Sequence, residues 1–381
     1  MPKPVVASYC TTFLKPEMLH IYRQVTGLKE FETFVICKER KSEERFPFPG
    51  IEVQPKVRSN FVRRFWQKYV KHEPPIVYRG EYQTIANILD RRDADLMHVY
   101  FGHTGVHLLP FMRRWPKPAI VSFHGMDVQT REGQPGYIDR LKDLLSELPL
   151  VLARSESLKS RLVDLGCDPG KVRINRTGIP MDRFPFQDRP EPENGAWHLV
   201  QACRLIEKKG LDLTLKAFHA FRNEFPNAKL TIAGEGPLQE ELESQAKSLD
   251  LGESIQFCGF LSVEELSALY QSAHFFIHPS RLTSDQNQEG IPNSMVEAMA
   301  TGLPVISTFH GGIPEAVKDG VTGLLCAENE WEPLRDFLID LAKNPERWST
   351  ISKAAAEDVR ENFAHDAQIA KLEGFYREAL G

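Results

Sequence analysis

At 381 residues, 41% of them hydrophobic, the chain is long enough for two domains with separate cores, which excludes a disordered or fibrous protein. Its six cysteines (Cys10, Cys37, Cys167, Cys203, Cys258, Cys326) are scattered, with no CxxC pair, and so read as reduced core residues rather than a disulfide framework or a zinc site. The net charge of −5 hides a split: 30 Lys/Arg against 21 Asp/Glu up to Pro185 give +9, and 17 against 31 beyond it give −14, so one half is suited to an anionic surface or acceptor, with nucleic acid the weaker explanation in the absence of a reader motif.

The opening MPKPVVASYC has too short an apolar run for a signal peptide, and no window approaches a membrane span, so a cytoplasmic protein is expected. Val5 to Cys10 reads as a strand, Pro16 to Thr26 as a helix and Phe31 to Cys37 as a second strand, the start of a parallel α/β sheet. Val57 to His72 sets Phe61, Val62, Phe65, Trp66, Tyr69 and Val70 at helical spacing with Arg58, Arg63, Arg64, Lys68 and Lys71 between them. Two readings stay open for 57–72: a helix in the membrane interface or under an anionic lipid-linked acceptor, and a helix whose aromatic stripe packs on the sheet. Asp93-Ala94-Asp95 is formally a DxD, but it precedes the strand Leu96 to Tyr100, and ligands are expected beyond strand C-termini; it reads as a turn, with no metal. Phe101 to Gly105 follows that strand as a loop, with His103 a candidate for substrate contact. The strand Ala119 to Phe123 leads into His124-Gly125-Met126-Asp127. Helices near Tyr137 to Leu148 and Glu156 to Leu165 flank a strand at Leu150 to Arg154, and Phe184 to Gly195, rich in Pro and acids, reads as an exposed linker that could act as a hinge.

The second half alternates strand (Trp197 to Ala202), helix (Leu211 to Phe225), strand (Lys229 to Ala233), helix (Leu238 to Leu249), strand (Ser254 to Cys258), helix (Val263 to Ser272) and strand (His274 to His278). Arg204 and Lys209-Gly210 follow its first strand, where two cations can neutralise a diphosphate. Glu289 to Glu297, EGIPNSMVE, reads as a loop turning into a helix with Asn293 as N-cap, so that Glu289 lies in the loop and Glu297 about one turn inside. Free amides at that start suit a phosphate, and the two carboxylates suit hydroxyl groups. Phe363 to Leu380 reads as a last helix with Ile369, Leu372, Phe375, Tyr376 and Ala379 on its apolar face.

The string from Glu289 through AMATGLPVISTFHGGIPEAV resembles the donor-site signature of the family-4 retaining glycosyltransferases, most closely the colanic-acid and amylovoran exopolysaccharide type. The resemblance implies a GT-B fold, two doubly wound Rossmann-like α/β domains facing a cleft: an acceptor-side domain over 1–185 with the helix 363–381 packing back on it, and a donor domain over 196–362. It implies that Glu289 contacts the transferred sugar and Glu297 the ribose, with Gly290, Ile291, Pro292 and Asn293 at the phosphate, and that Arg204 and Lys209 meet the diphosphate although Cys203 replaces the family's glycine. Gly259-Phe260 falls where relatives hold the base, and His124 matches the HGxD histidine that contacts the donor sugar, with Asp127 orienting the loop or the acceptor. The loop Thr11-Thr12-Phe13-Leu14 lacks the glycine pair of many relatives, which leaves donor-phosphate and acceptor roles equally open to it.

The implied reaction is metal-independent, retaining transfer of a hexose from a nucleoside-diphosphate sugar, with UDP-sugars favoured, to an acceptor hydroxyl. A lipid-linked saccharide in exopolysaccharide synthesis is the expected acceptor, with the protein at the inner face of the plasma membrane. A soluble acceptor on the same fold, a nucleotide-sugar epimerase and a catalytically silent binding protein are the alternatives, the last opposed by the intact Arg204, Lys209, Glu289 and Glu297 set. No cofactor beyond the sugar nucleotide is implied.

Overall fold

The computed structural model describes residues 2–15, 18–44, 46–55, 60–129, 136–284 and 288–381. The chain forms two compact units, Met1–Gly178 with Asp366–Gly381, and Ile179–His365.

In the first unit the strands are β1 (Val5–Tyr9), β2 (Thr12–Phe13), β3 (Glu32–Cys37), β4 (Glu39–Arg40), β5 (Ile51–Val53), β6 (Leu96–Tyr100), β7 (Ala119–Phe123), β8 (Val151–Ala153) and β9 (Val172–Ile174). Seven of them make one parallel sheet, ordered β5-β3-β1-β6-β7-β8-β9, and β2 pairs with β4 beside it. The middle strands β6 and β7 are buried along their whole length, which is why they are nearly continuous apolar runs instead of alternating ones. The order reverses between β1 and β6, so the loops after these strands lie at a topological switch point, where doubly wound sheets hold ligands.

The second unit contains β10 (His198–Ala202), β11 (Lys229–Ala233), β12 (Ile255–Phe257), β13 (Phe275–His278), β14 (Val305–Thr308) and β15 (Gly323–Cys326), parallel and ordered β12-β11-β10-β13-β14-β15. Its switch point falls between β10 and β13, where Val200 lies opposite Phe276. Helix Val263–Ser272 opens with a capping box: Ser262 accepts from the Glu265 amide, and the Glu265 carboxylate accepts from the Ser262 amide.

Four expectations are corrected. The helix of the basic aromatic stretch runs from Phe61 to Val70 as an α-turn followed by a π-turn, with none of its residues buried, so the stripe does not pack on the sheet; Lys56 to Ser59 lie outside the described residues. Phe101–Gly105 is not a loop: helix Gly102–Met112 starts directly after β6, and a Cβ on Gly102 would meet the Phe123 ring at 2.3 Å, so only glycine lets the helix begin this close to β7. The Pro-rich stretch after Phe184 is no free linker, because Phe184 is fully buried and the buried Arg189 guanidinium donates to the Thr301 carbonyl (2.7 Å), the Thr301 hydroxyl (3.1 Å) and the Tyr270 carbonyl (3.0 Å). Thr301 ends the helix Asn293–Ala300, so the cation also sits at the negative end of a macrodipole. Finally, Pro292 and not Asn293 is the N-cap: Pro292 is extended (φ −66°, ψ 120°), and Asn293 is already the first helical residue.

The last helix, His365–Leu380, packs on the first unit through Leu372 and Tyr376, alongside Val6, Phe31, Leu96, Ile120, Leu150 and Leu152. The Tyr376 hydroxyl bonds His98 Nδ1 at 2.8 Å, and the Glu373 carboxylate accepts from the Lys29 and Glu30 amides. No described helix is long and apolar enough to cross a membrane.

Candidate active site

At the switch point of the second unit, the chain leaves β10 through Cys203 and exposed Arg204, then turns through Lys208 and Lys209. Gly210 closes the turn at φ +60°, and a Cβ there would lie 2.0 Å from the Pro279 carbonyl oxygen, so the Lys-Gly pair is locked against the end of β13. Both lysines are buried, and both point at Glu289: Lys209 Nζ pairs with Oε2, and Lys208 Nζ lies 3.8 Å from Oε1. Burial alone would raise the Glu289 pKa, but the two ammonium groups outweigh it and bring the carboxyl down to about 2. Glu289 is therefore ionised and acceptor-only, ready to take hydrogen bonds from hydroxyl groups.

The backbone of Glu289 is fixed as firmly as its side chain. Its amide donates to His310 Nε2 at 2.9 Å, which makes Nδ1 the protonated nitrogen, donating to the Glu328 carboxylate at 2.7 Å. Next in the chain, Gly311 adopts φ +56°, and a Cβ there would lie 2.0 Å from the Glu289 carbonyl oxygen.

Gly290 is exposed, Ile291 is half-buried, and Asn293 opens the helix that carries buried Glu297 one turn on. Among the described residues no side chain caps the Pro292 end of this helix; as at any helix start, the first-turn amides have no intrahelical acceptor, and Ser294 Oγ donates to the Ala202 carbonyl at 2.6 Å. The helix start is thus tied to the end of β10, two residues before Arg204 in the chain. Gly259, at φ +66°, accepts from the Gly234 amide at 2.7 Å, and Phe260 is exposed beside it. Cys203, in the family's glycine position, has its thiol pushed up to about 12, chiefly by burial, and carries no nucleophile.

In the first unit His124 follows β7. Its Nδ1 faces His20 Nε2 at 3.2 Å and an Arg154 nitrogen at 3.5 Å, and its Nε2 faces Ser122 Oγ at 3.2 Å. A guanidinium only donates, so Nδ1 is the acceptor and Nε2 carries the hydrogen. Burial first, and the charges of His20 and Arg154 next, hold His124 well below the usual histidine range, so it is neutral. The buried Asp127 carboxylate accepts from the amides of Gly102 (2.8 Å), His124 (3.0 Å) and Gly125 (2.9 Å), and so shapes the loop that presents His124. Burial pushes its carboxyl up despite those three amides. His103 stacks on Phe101, whose ring also meets that of His124, and it lines a cavity of about 530 Å³ with Arg79 and Tyr137. Thr12-Phe13, in the glycine-free loop after β1, makes the short pairing with Glu39-Arg40. Asp95 is occupied by the Val5 amide (2.9 Å) and Lys117 (3.4 Å), and among the described residues no cluster of three or more His, Cys, Asp or Glu is disposed to hold a metal.

Sequence reasoning missed Lys208, His310, His20, Arg154 and His278. The doublet Lys208-Lys209 and the His310-Gly311-Gly312 string were signals for the first two. His278 ends β13 fully buried, without a hydrogen-bond partner on either ring nitrogen among the described residues, and burial lowers its pKa to about 3.

The family description "Glycosyltransferase Family 4" matches residues 20–183, and "Glycosyl transferases group 1" matches residues 183–358. WcaL of Salmonella typhimurium, named for colanic acid biosynthesis, is 30% identical over 285 residues, covering 73% of this chain and 70% of WcaL. The chain belongs to the family-4 glycosyltransferases. AmsK of Erwinia amylovora, an amylovoran biosynthesis glycosyltransferase, is 29% identical over 71% of this chain and 67% of its own. A family-4 glycosyltransferase moves a sugar from a nucleotide-sugar donor, and that is the activity of this protein. Its fold is GT-B: a glycosyltransferase from Rickettsia africae aligns over 100% of this chain and 99% of its own with a TM-score of 0.80 at 17% identity. Anabaena HepE, solved in complex with UDP, aligns over 98% and 100% with a TM-score of 0.79 at 16% identity.

Proposed function

We propose that this glycosyltransferase moves a hexose from a UDP-sugar, with retention and without a metal, to a hydroxyl of a lipid-linked saccharide at the cytoplasmic face of the membrane, in exopolysaccharide synthesis. The observation that carries the donor half is the ionised Glu289 clamped by Lys208 and Lys209 four residues before the start of the helix Asn293–Ala300. The acceptor half rests on the likeness to WcaL and AmsK, and the choice of UDP on the HepE complexes with UDP and with UDP-glucose.

In this reading Arg204, Lys209 and the helix amides around Gly290, Ile291, Pro292 and Asn293 meet the departing diphosphate, Glu297 takes the ribose, and backbone atoms at Gly259-Phe260 take the base. Glu289 accepts from the sugar hydroxyls, and neutral His124 donates from Nε2 once Ser122 yields it. The bond from the acceptor oxygen to the anomeric carbon forms on the face from which the carbon–phosphate oxygen bond breaks, and the acceptor's proton passes to a phosphate oxygen of the leaving UDP. No protein carboxylate acts as nucleophile, so the residues contribute by positioning and charge stabilisation.

The test is transfer from UDP-glucose to a polyprenyl-diphosphate saccharide, with the anomeric configuration of the product read by NMR. An α-linked product, unchanged turnover in EDTA and near-complete loss in Glu289→Ala are expected. A β-linked product would refute retention, loss in EDTA would refute metal independence, and near-normal turnover of Glu289→Ala would remove the assigned donor site.

A further inference from the structure

The helix Phe61–Val70 has no interior side. Every residue from Asn60 to His72 except Gln67 is exposed, including Phe61 (79%), Val62 (70%), Tyr69 (56%) and Trp66 (54%). A helix of about ten residues is marginal in water without a packed face, and soluble surfaces seldom carry so many contiguous large apolar groups. The chain repeats with a period of four: apolar pairs at 61/62, 65/66 and 69/70 alternate with Arg63-Arg64, Gln67-Lys68 and Lys71-His72. The π-turn, closed by the Lys71 amide on the Trp66 carbonyl (3.0 Å), has more residues per turn than an α-helix and so keeps a four-residue period in line. Phe61, Phe65 and Tyr69 form a row with ring centroids 6.4 and 4.9 Å apart. The cations gather on its flank, with Lys68 4.6 Å from the Tyr69 ring and Arg64 5.8 Å from that of Tyr78.

Charge decides what fits this face. No acidic residue occurs between Glu52 and Glu73, so the six Lys and Arg of that stretch, Arg63, Arg64, Lys68 and Lys71 among them, have no carboxylate within it. A second copy of the same face would set these cations against each other, at the cost that like charges carry across an interface. An anionic bilayer supplies both missing halves: hydrocarbon and headgroup depth for the aromatic row, and phosphates for the cations. The turn Pro75–Tyr78 that follows also borders the cavity whose wall holds Arg79 and Arg140, so positive charge continues from the helix into a recess.

We propose that Phe61–Val70 is a membrane-docking helix that seats this glycosyltransferase on an anionic lipid surface, with the aromatic row in the interface and Arg63, Arg64, Lys68 and Lys71 on the lipid phosphates. It stands on the exposed face alone, so vesicle binding can succeed where the lipid-linked acceptor reading fails, and the reverse.

Among the five tryptophans only Trp66 is exposed, which makes it a built-in reporter. With phosphatidylglycerol-containing vesicles at low salt, co-sedimentation, a blue shift of Trp66 emission and protection from iodide are expected, all weakened by salt and by pure phosphatidylcholine. Arg63→Gln/Arg64→Gln should cut partitioning roughly thirtyfold, the equivalent of about 2 kcal/mol at about 1 kcal/mol per basic residue. Phe65→Ser/Trp66→Ser should abolish co-sedimentation. Both variants should keep the thermal midpoint, since the side chains touch no core; a clear fall would show that the face packs on the protein and would overturn the proposal. Absence of binding by the wild type would overturn it too, as would self-association in sedimentation velocity that Trp66→Ser removes, which would assign the face to a second copy.

Discussion

Replacing Glu289 by glutamine tests the clamp that the donor site is built on. In the folded protein its carboxyl lies at about 2 against 4.5 in the free side chain, because Lys209 and Lys208 outweigh its burial. That difference corresponds to about 3 kcal/mol at about 1.4 kcal/mol per pH unit. The folded pKa is the lower one, so the unfolded chain binds the extra proton: the contribution is complete above about pH 4.5, declines as pH falls towards 2 and is gone below it. Glu289→Gln also leaves two buried ammonium groups without their counterion, a loss of the same order for a buried pair. The expectation is a second unit destabilised by about 3 kcal/mol at pH 7, with the gap from wild type closing between about pH 4.5 and 2. Urea denaturation read by hydrogen exchange in peptides from β10 and β13 reports this unit separately from the first. A gap under about 0.5 kcal/mol at pH 7, or one of constant size into the acid range, would refute the account.

Arg189→Ala should cost the second unit about 2–4 kcal/mol by stranding the carbonyls of Thr301 and Tyr270, and should open residues 184–195 to limited proteolysis; lysine, with one point charge for a fork, should not restore it. Gly311→Ala should lower donor affinity at least tenfold in a UDP-sugar titration with little change in the first unit, because the new methyl displaces the Glu289 carbonyl; unchanged affinity would show that Glu289 does not hold the donor. Tyr376→Phe removes the bond to buried His98 and should speed hydrogen exchange in the last helix by an amount equivalent to about 1 kcal/mol, with no effect on peptides from the second unit.

Local chemistry made most of the strands and helices readable. Strands such as Leu96–Tyr100 and Lys229–Ala233 are apolar runs bounded by turn residues, and Ser262 with Glu265 announces its helix by a capping box that needs only four residues of sequence. What stayed hidden depends on partners far along the chain. Arg189 looks like any charged residue in a Pro-rich stretch until Thr301 and Tyr270 arrive beside it, and the glycines after His310 mark a turn without naming Glu328 and the Glu289 amide as the groups it links. The amphipathic pattern at Phe61–Val70 is the same for a core helix and for a surface one; only the exposure of its apolar side chains separates them. Asn293 opens the helix one position earlier than its capping chemistry suggested, with the extended Pro292 as the residue before the first turn.

The return of the last helix sets a condition on biosynthesis. As the chain leaves the ribosome, residues up to Gly178 can build their parallel sheet, yet the face carrying Val6, Phe31, Leu96, Ile120, Leu150 and Leu152 stays uncovered until residues 366–381 have been made. At about 5–20 residues per second, the 187 residues from Ile179 to His365 take roughly ten to forty seconds to translate. For that interval the nascent first unit shows an apolar sheet face to the cytosol, which makes it a natural client for a chaperone that binds chains during synthesis, and makes prematurely terminated products the form of this enzyme most prone to aggregate.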